Sequence, residues 1–344
     1  MSDDPCNGRI FEDGSAQPEQ AGRLLQHRKT FLAEQELPLQ VLDFECDRGC
    51  GIVASAGLDP GVCVLAEQPM LLVQTMASRS STLACLQCLC PLASREEPEC
   101  SSASTSRVLC SCGVAYCSTE CLAEAAARGH AHLCTSRMTK TALAAWQCLE
   151  ALLAELPQVG EALEGAIRLL AAAVEAKEVW PLLSCLVGCP WWETLKLSSD
   201  ELLAEAKSVS QRIFELLVQV LPDEPPLNAI SWLDFAVLVG GVRMNAVEAV
   251  VPASDAAGGL NAAVGLALHL VVSAVNHDCA PNCALQTGFA WPELRGWAVV
   301  QTLRSVSAGE ELTIAYVPEV PERRELLLEQ WRFHCECDVC VPKK

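Results

Sequence analysis

Twelve of the 21 cysteines of this 344-residue chain stand in two dense runs, and their spacing limits the possible folds more than any other feature. Cys85, Cys88, Cys90, Cys100, Cys110, Cys112, Cys117, Cys121 and Cys134 lie within fifty residues, and Cys335, Cys337 and Cys340 crowd the last ten. The total is odd, and the first residues (MSDDPCNGRIFEDG) are acidic with no apolar h-region. Both features argue against a disulfide framework and for bound metal. Zinc needs four ligands in a tetrahedron, and closely spaced pairs let one tight turn supply two of them. Cys85-x2-Cys88, Cys110-x-Cys112, Cys117-x3-Cys121 and His130-x3-Cys134 supply eight ligands, hence two sites. The expected wiring is interleaved: Cys85, Cys88, Cys117 and Cys121 on one ion, Cys110, Cys112, His130 and Cys134 on the other. His132 is out of register and reads as a surface residue. The C-terminal trio leaves one coordination position open, and Cys279 is the candidate to fill it, so three zinc ions are expected.

The formal charge is −19, from 43 acids and 24 bases. Such a surface repels a phosphate backbone and attracts cationic partners. Direct nucleic-acid binding is therefore disfavoured, and the charge fits either solubility alone or a basic peptide partner. Hydrophobic residues make up 51% and charged residues 19%, enough apolar matter for a sizeable core. The longest uncharged stretch, Ala256 to Asn276, is interrupted by Gly258, Gly259, Asn261, Gly265, His269 and Ser273, which argues against a membrane span. An intracellular, monomeric protein of nucleus or cytoplasm is the expectation.

Residues 1–38 read as an acidic tail with a short amphipathic helix near Gly22–Glu36, loosely attached. Over 39–84 the segments Val41–Phe44, Gly51–Ala54 and Val62–Ala66 have strand character, with Pro60-Gly61 as a turn. The zinc module spans 85–134 and includes a polar loop, Ser94–Arg107. From 135 to 240 the pattern is helical: Leu143, Trp146, Leu149, Leu152 and Leu153, then Ile167, Leu170, Ala171 and Val174, recur at three- and four-residue spacing. A further helix starts at Asp200, with Ser198, Ser199 or Asp200 as its cap. Over 241–318 strands return at Ala284–Gln286, Trp297–Thr302 and Glu311–Ala315, and 319–344 form the second cysteine-bearing tail. This is an α+β pattern whose sheet is discontinuous in sequence.

Four segments in this order, DRGCGI (Asp47–Ile52), NHDCAPNC (Asn276–Cys283), GEELTIAY (Gly309–Tyr316) and WRFHCECDVC (Trp331–Cys340), resemble the core of the SET- and MYND-domain protein lysine methyltransferases. The YCSTEC stretch and H-x3-C resemble a MYND finger. Against the usual C-x2-C, the pair Cys110-x-Cys112 is one residue short, which leaves Cys100 as a substitute for Cys110. The chain is similar to the short members, which lack a C-terminal helical-repeat domain. The resemblance implies a SET-type β-rich core split by the MYND finger and a helical block, followed by a zinc-binding post-SET tail that threads under a loop near Asn276, against the usual rule on knotted chains. It also implies transfer of the methyl group of S-adenosylmethionine to a lysine of a basic protein such as a histone, and a proline-rich peptide partner at the finger.

By the same resemblance Arg48, Gly49 and Cys50 neighbour the cofactor, and Gly49 and Gly51 let backbone approach it. Asn276 and His277 contact adenine and ribose, and Asn245 holds the amino-acid end. Tyr316 points its hydroxyl at the transferring methyl and the lysine nitrogen, while Trp331 and Phe333 wall the lysine channel, where aromatic faces suit a methylammonium. Cys50, Asp278 and Trp331 depart from the usual pattern. A catalytically silent adaptor that binds peptides through the finger is the alternative.

Overall fold

A computed structural model describes residues 18–44, 49–93, 107–253, 261–289 and 294–341. Helix α1 (Pro18–Glu34) leads into strands β1 (Leu39–Asp43), β2 (Cys50–Ala54), β3 (Cys63–Glu67) and β4 (Leu71–Gln74), then the short α2 (Met76–Arg79). The cysteine-rich segment holds β5 (Val108–Leu109), β6 (Ala115–Tyr116), α3 (Thr119–Ala125) and α4 (Ala131–Leu133). The helical block is α5 (Lys140–Ala154), α6 (Gly160–Glu175), α7 (Trp180–Leu183), α8 (Asp200–Val220) and α9 (Trp232–Asn245). Strands β7 (Ala246–Val251), β8 (Ala263–Leu268), β9 (Asn276–His277), β10 (Cys283–Gln286), β11 (Ala298–Thr302) and β12 (Thr313–Ile314) follow, and α10 (Arg323–Trp331) precedes the tail.

Small sheets join strands far apart in the chain. β3 pairs antiparallel with β11, and β4 with β8, so the two halves of the mixed helix-and-sheet fold close around the cysteine-rich segment and the helices. β12 runs parallel to β9, with Thr313 opposite Asn276 and Ile314 opposite His277. The expected strand Glu311–Ala315 shortens to Thr313–Ile314 because its first residues turn to β2: Leu312 N–H donates to Ile52 O at 2.8 Å. β4, β7 and β8 lie in segments where no strand was expected, and β8 occupies the uncharged stretch after Ala256. Among the described residues no helix is long and apolar enough to cross a membrane.

The largest apolar core lies among α5, α6, α8 and α9 with Trp191 and Trp192. Ser199 caps α8 through Leu202 N–H, and Ser231 with Asp234 forms a capping box on α9. α9 carries buried Phe235, Val237, Leu238, Val239 and Val242 on several faces, which marks a central helix. It also runs straight through Gly240-Gly241, where the sequence pattern suggested that the block ends. A Cβ on Gly240 would collide with the Cys189 carbonyl, so glycine here admits a crossing chain rather than stopping the helix. Gly240→Ala is therefore expected to lower stability by about 1–3 kcal/mol as an overpacking substitution, read by urea unfolding.

The N-terminal helix departs from the loosely attached tail of the sequence reading. Leu24 and Leu32 of α1 are buried, and so is Arg28, whose guanidinium donates to Leu270 O at 2.8 Å and Ser273 Oγ at 3.1 Å. Leu32 joins the core of β1, β2, β3 and β11. An amphipathic pattern shows that a helix has an apolar face, but not which surface covers it.

His269, at the end of β8, is 1% exposed. Its Nε2 faces Gly296 O at 3.0 Å. Burial carries its pKa from 6.5 down to about 4. The unfolded chain therefore takes up a proton between pH 6.5 and 4 that the fold refuses. The stability this group confers is complete above 6.5 and is lost as pH falls to about 4, up to about 3 kcal/mol. His269→Gln keeps a donor for Gly296, so the stability difference between wild type and variant should shift against wild type across that window in urea titrations.

Candidate active site and metal centres

The described cysteines and histidines gather into three groups of four: Cys85, Cys88, Cys117 and Cys121; Cys110, Cys112, His130 and Cys134; Cys279, Cys335, Cys337 and Cys340. Within each, the four ligand atoms lie within 4.8 Å of one another. A Zn–S bond of about 2.3 Å puts tetrahedral sulfurs about 3.8 Å apart. The observed separations match that edge. Cys88 and Cys117 are 3.5 Å apart, Cys110 and Cys134 3.6 Å, Cys112 Sγ and His130 Nε2 3.6 Å, Cys279 and Cys335 3.8 Å, Cys279 and Cys340 3.6 Å. Hydrogen bonds from Cys117, Cys121 and Cys88 drive the Cys85 thiol strongly toward thiolate. Burial opposes ionisation of Cys337, yet N–H groups of Cys279 and Cys340 and its neighbour Cys335 bring it down to about 7. Donor chemistry and spacing fit zinc in all three groups.

Local structure explains the grouping. The β5–β6 hairpin turns at Gly113, at φ +89, so that Cys110 and Cys112 precede the turn and Cys117 follows it. Ser118 caps α3 through Cys121 N–H and thereby orients Cys121. Gly129, at φ +92, breaks the helical path between α3 and α4 and lies against the Ala171 backbone of α6, so His130 turns toward Cys112. His132 sits outside both groups and pairs with Glu175 at 3.0 Å. Cys110 occupies the ligand position for which Cys100 was the substitute, and Cys100 lies outside the described residues.

The third group borders an aromatic cluster built around Tyr316. This ring belongs to two cores at once, that of the β strands and that of the tail. Its centroid is 5.3 Å from Trp331, 5.4 Å from His277 and 6.4 Å from Phe333. Arg332, in the left-handed region at φ +62, ends α10 between the two tail aromatics. The Tyr316 hydroxyl donates to Val275 O at 2.9 Å, and the Trp331 indole N–H donates to Met244 O at 2.8 Å. Burial, reinforced by the charge of Glu311, raises the pKa of the Tyr316 phenol, so it stays protonated.

His277 links this cluster to the sulfur group. The Tyr316 amide N–H donates to its Nδ1 at 3.1 Å, which leaves the ring proton on Nε2, 3.3 Å from Cys279 Sγ. Burial, with Arg323 acting in the same direction, lowers its pKa. Asn276 directs Nδ2 to Glu311 Oε1 at 2.8 Å and to Cys50 O at 3.2 Å. Asn245 directs Nδ2 to Val187 O and Gly241 O, each at 2.7 Å, at the end of the helix whose Met244 holds Trp331. The structure thus brings Gly49, Cys50, Asn276, His277, Tyr316, Trp331 and Phe333 into one connected region, with Asn245 adjoining through Met244. Arg48 lies outside the described residues.

A Cβ at Gly51 would meet Phe44 and Glu311, so glycine here admits the packing of these side chains. Gly49, at φ +62, owes its glycine to backbone conformation. The Cys50 thiol is raised by burial and faces Arg28 of α1, so it is the Cys50 carbonyl that joins the Asn276 network. Asp278 accepts from Ala280 N–H at 2.8 Å and turns the loop that leads out of β9. Sequence reasoning also missed Asn282 and Glu311 as organisers. Asn282 Oδ1 accepts from Thr313 N–H at 2.8 Å and its Nδ2 donates to Glu311 O at 2.7 Å, which ties the segments NHDCAPNC and GEELTIAY together. Both residues lay inside quoted motifs, which was the available signal.

A cavity of about 820 Å³ opens elsewhere, between the cysteine-rich segment and α5 and α6. Its lining includes Arg79, Arg128, Arg168, Trp146 and Trp297 but none of the residues around Tyr316.

The family model described as SET domain matches residues 49–317. Histone-lysine N-methyltransferase SMYD3 of Mus musculus is 39% identical over 80 residues, 22% of this chain and 17% of that protein. A SET and MYND domain-containing protein of Dictyostelium discoideum is 32% identical over 80 residues, 22% of each chain. The aligned stretch therefore spans less than a quarter of either relative's length. Among solved structures, the SET domain of LSMT bound to lysine and AdoHcy aligns with a TM-score of 0.42 at 14% identity, over 91% of this chain and 58% of that one.

Proposed function

The chain belongs to the SET-domain family, and from that premise we propose that it is a protein-lysine N-methyltransferase that uses S-adenosylmethionine, with 85–134 as a MYND zinc finger and 319–344 as a zinc-binding post-SET tail. The observation that carries this reading is the convergence on Tyr316: β9, β12 and the end of α10 all deliver side chains to its ring.

When bound, S-adenosylmethionine supplies an electrophilic methyl on a sulfonium centre, which a neutral lysine amine accepts in line. The protein's own task is then alignment and electrostatics rather than strong base catalysis. Tyr316, protonated and donating to Val275 O, keeps its oxygen lone pairs for the polarised methyl and the amine N–H. Trp331, pinned through Met244 O, and Phe333 offer aromatic faces that favour a cationic centre and exclude water. The Asn276 amide hydrogens are engaged by Cys50 and Glu311, so adenine recognition falls to its Oδ1 and to the backbone of Asn276 and His277. Asn245, anchored through Nδ2, offers Oδ1 to the ammonium of the amino-acid end. The net charge of −19 suits a lysine-rich, basic substrate such as a histone.

The test is isothermal titration with S-adenosylmethionine, followed by methyl transfer from labelled donor to whole-cell basic proteins. Binding with labelled lysines supports the enzyme. Binding without turnover in any basic fraction favours the peptide-binding adaptor, and no binding removes both the cofactor and the reaction.

A further inference from the structure

The turn before β9 is gripped from two sides by residues that no motif contains. Glu67, at the end of β3 and 6% exposed, points both carboxylate oxygens into it. Leu270 N–H and Val271 N–H donate to Oε1 at 2.8 and 3.0 Å, and Val271 N–H and Val272 N–H to Oε2 at 2.9 and 2.7 Å. Consecutive backbone N–H groups of this kind form an anion nest, here filled by the protein's own carboxylate. Arg28, 7% exposed on α1, grips the opposite polarity: Nε donates to Leu270 O and Nη2 to Ser273 Oγ, which itself donates to Leu270 O at 3.0 Å. Two residues beyond Ser273 lies Val275, whose carbonyl receives the Tyr316 hydroxyl, and next comes Asn276, bound to the Cys50 carbonyl.

Two buried, oppositely charged groups on either side of a four-residue turn are an expensive arrangement unless the turn must be held in one shape. A turn held only for stability could be capped by neutral groups at lower desolvation cost. We propose that Arg28 and Glu67 clamp this turn to set the register of Val275, Asn276 and His277, which makes α1 a working part of the cofactor site and Arg28 a positioning residue for it. The proposal rests on the methyltransferase reading above.

The experiment uses the full zinc-loaded chain and titrates S-adenosylmethionine by calorimetry. Arg28→Met removes the charge-assisted hydrogen bonds to Leu270 O and Ser273 Oγ together with the contact to the Cys50 thiol, and should raise the Kd by about tenfold or more. Arg28→Lys keeps the charge without the fork and should fall between that value and wild type. Leu24→Ala on the same helix removes packing without touching the clamp; it should lower Tm yet hold the Kd within about twofold if docking and clamping are separable. Amide exchange at Asp278, whose N–H donates to Ile314 O at 3.0 Å, should accelerate in Arg28→Met and not in Leu24→Ala. The proposal is overturned if Arg28→Met folds and binds as wild type does, or if Leu24→Ala weakens binding equally. Should wild type bind no S-adenosylmethionine, the methyltransferase reading fails, and the Asp278 exchange rates alone decide the clamp: faster exchange in Arg28→Met supports it, an unchanged rate overturns it.

Discussion

On the function proposed above, Cys279→Ser is expected to reduce bound zinc from three ions to two and to silence methyl transfer, while the cysteine-rich segment and the helical block stay folded. A structural zinc site contributes on the order of 10 kcal/mol or more of apparent binding energy, and a serine oxygen is a poor substitute for a thiolate. Cys279 is the one member of its group outside the tail, so its loss detaches Cys335, Cys337 and Cys340 together. Trp331 and Phe333 lie just before those cysteines and wall Tyr316 on the tail side. The same change removes the sulfur that Nε2 of His277 faces, and with it one of the two contacts that orient the ring accepting the Tyr316 amide. Losing such an outer contact alone costs about 10- to 100-fold in metal sites, so the combined loss should carry the rate below detection. Metal content by elemental analysis and initial rates with labelled donor read the result. Full activity with two zinc ions would show that the tail cluster does not assemble the site.

The donor groups could be read from sequence because metal ligation is local chemistry. Pairs such as Cys85-Cys88 and Cys117-Cys121 sit on single turns, and spacing alone carries them. The aromatic cluster was accessible through motif order, since Tyr316, Asn276 and Trp331 fall in three separate short segments. Arg28 and Glu67 were not accessible. Their partners lie 242 and about 204 residues away, and a lone arginine on an amphipathic helix has no local signature that separates a buried clamp from a solvated charge. Gly240-Gly241 failed for a related reason. Glycine as a helix stop and glycine as a crossing point look alike until the Cys189 segment is seen lying across α9. Strands β7 and β8 were hidden because their burial alternates but their less buried positions (Val247, Val250, Val264 and Leu266) are apolar too, so the sequence lacks the polar alternation that marks a half-exposed strand.

Tyr316→Phe should lower kcat by about 10²- to 10³-fold, the range for removing one preorganised polar contact at a transition state, with the Kd for S-adenosylmethionine changed by no more than about twofold. The phenyl ring preserves the packing against His277, Trp331 and Phe333, and only the hydroxyl and its bond to Val275 O disappear. That separation of effects distinguishes an oriented dipole from a structural tyrosine, whose loss would lower affinity and Tm together. A protonated phenol has a further consequence. Burial and Glu311 hold the Tyr316 pKa above its ordinary value, so the group does not ionise across the working range and takes no proton from the substrate. The nucleophile must instead arrive as neutral amine, whose population rises tenfold per pH unit below a lysine pKa of about 10.4. kcat/KM should therefore climb with a slope near +1 on a logarithmic scale from about pH 7 to 9, in wild type and Tyr316→Phe alike, because the titrating proton belongs to the substrate. A rate that instead follows a tyrosine-like ionisation, present in wild type and absent in the variant, would assign Tyr316 the role of base and overturn the positioning argument.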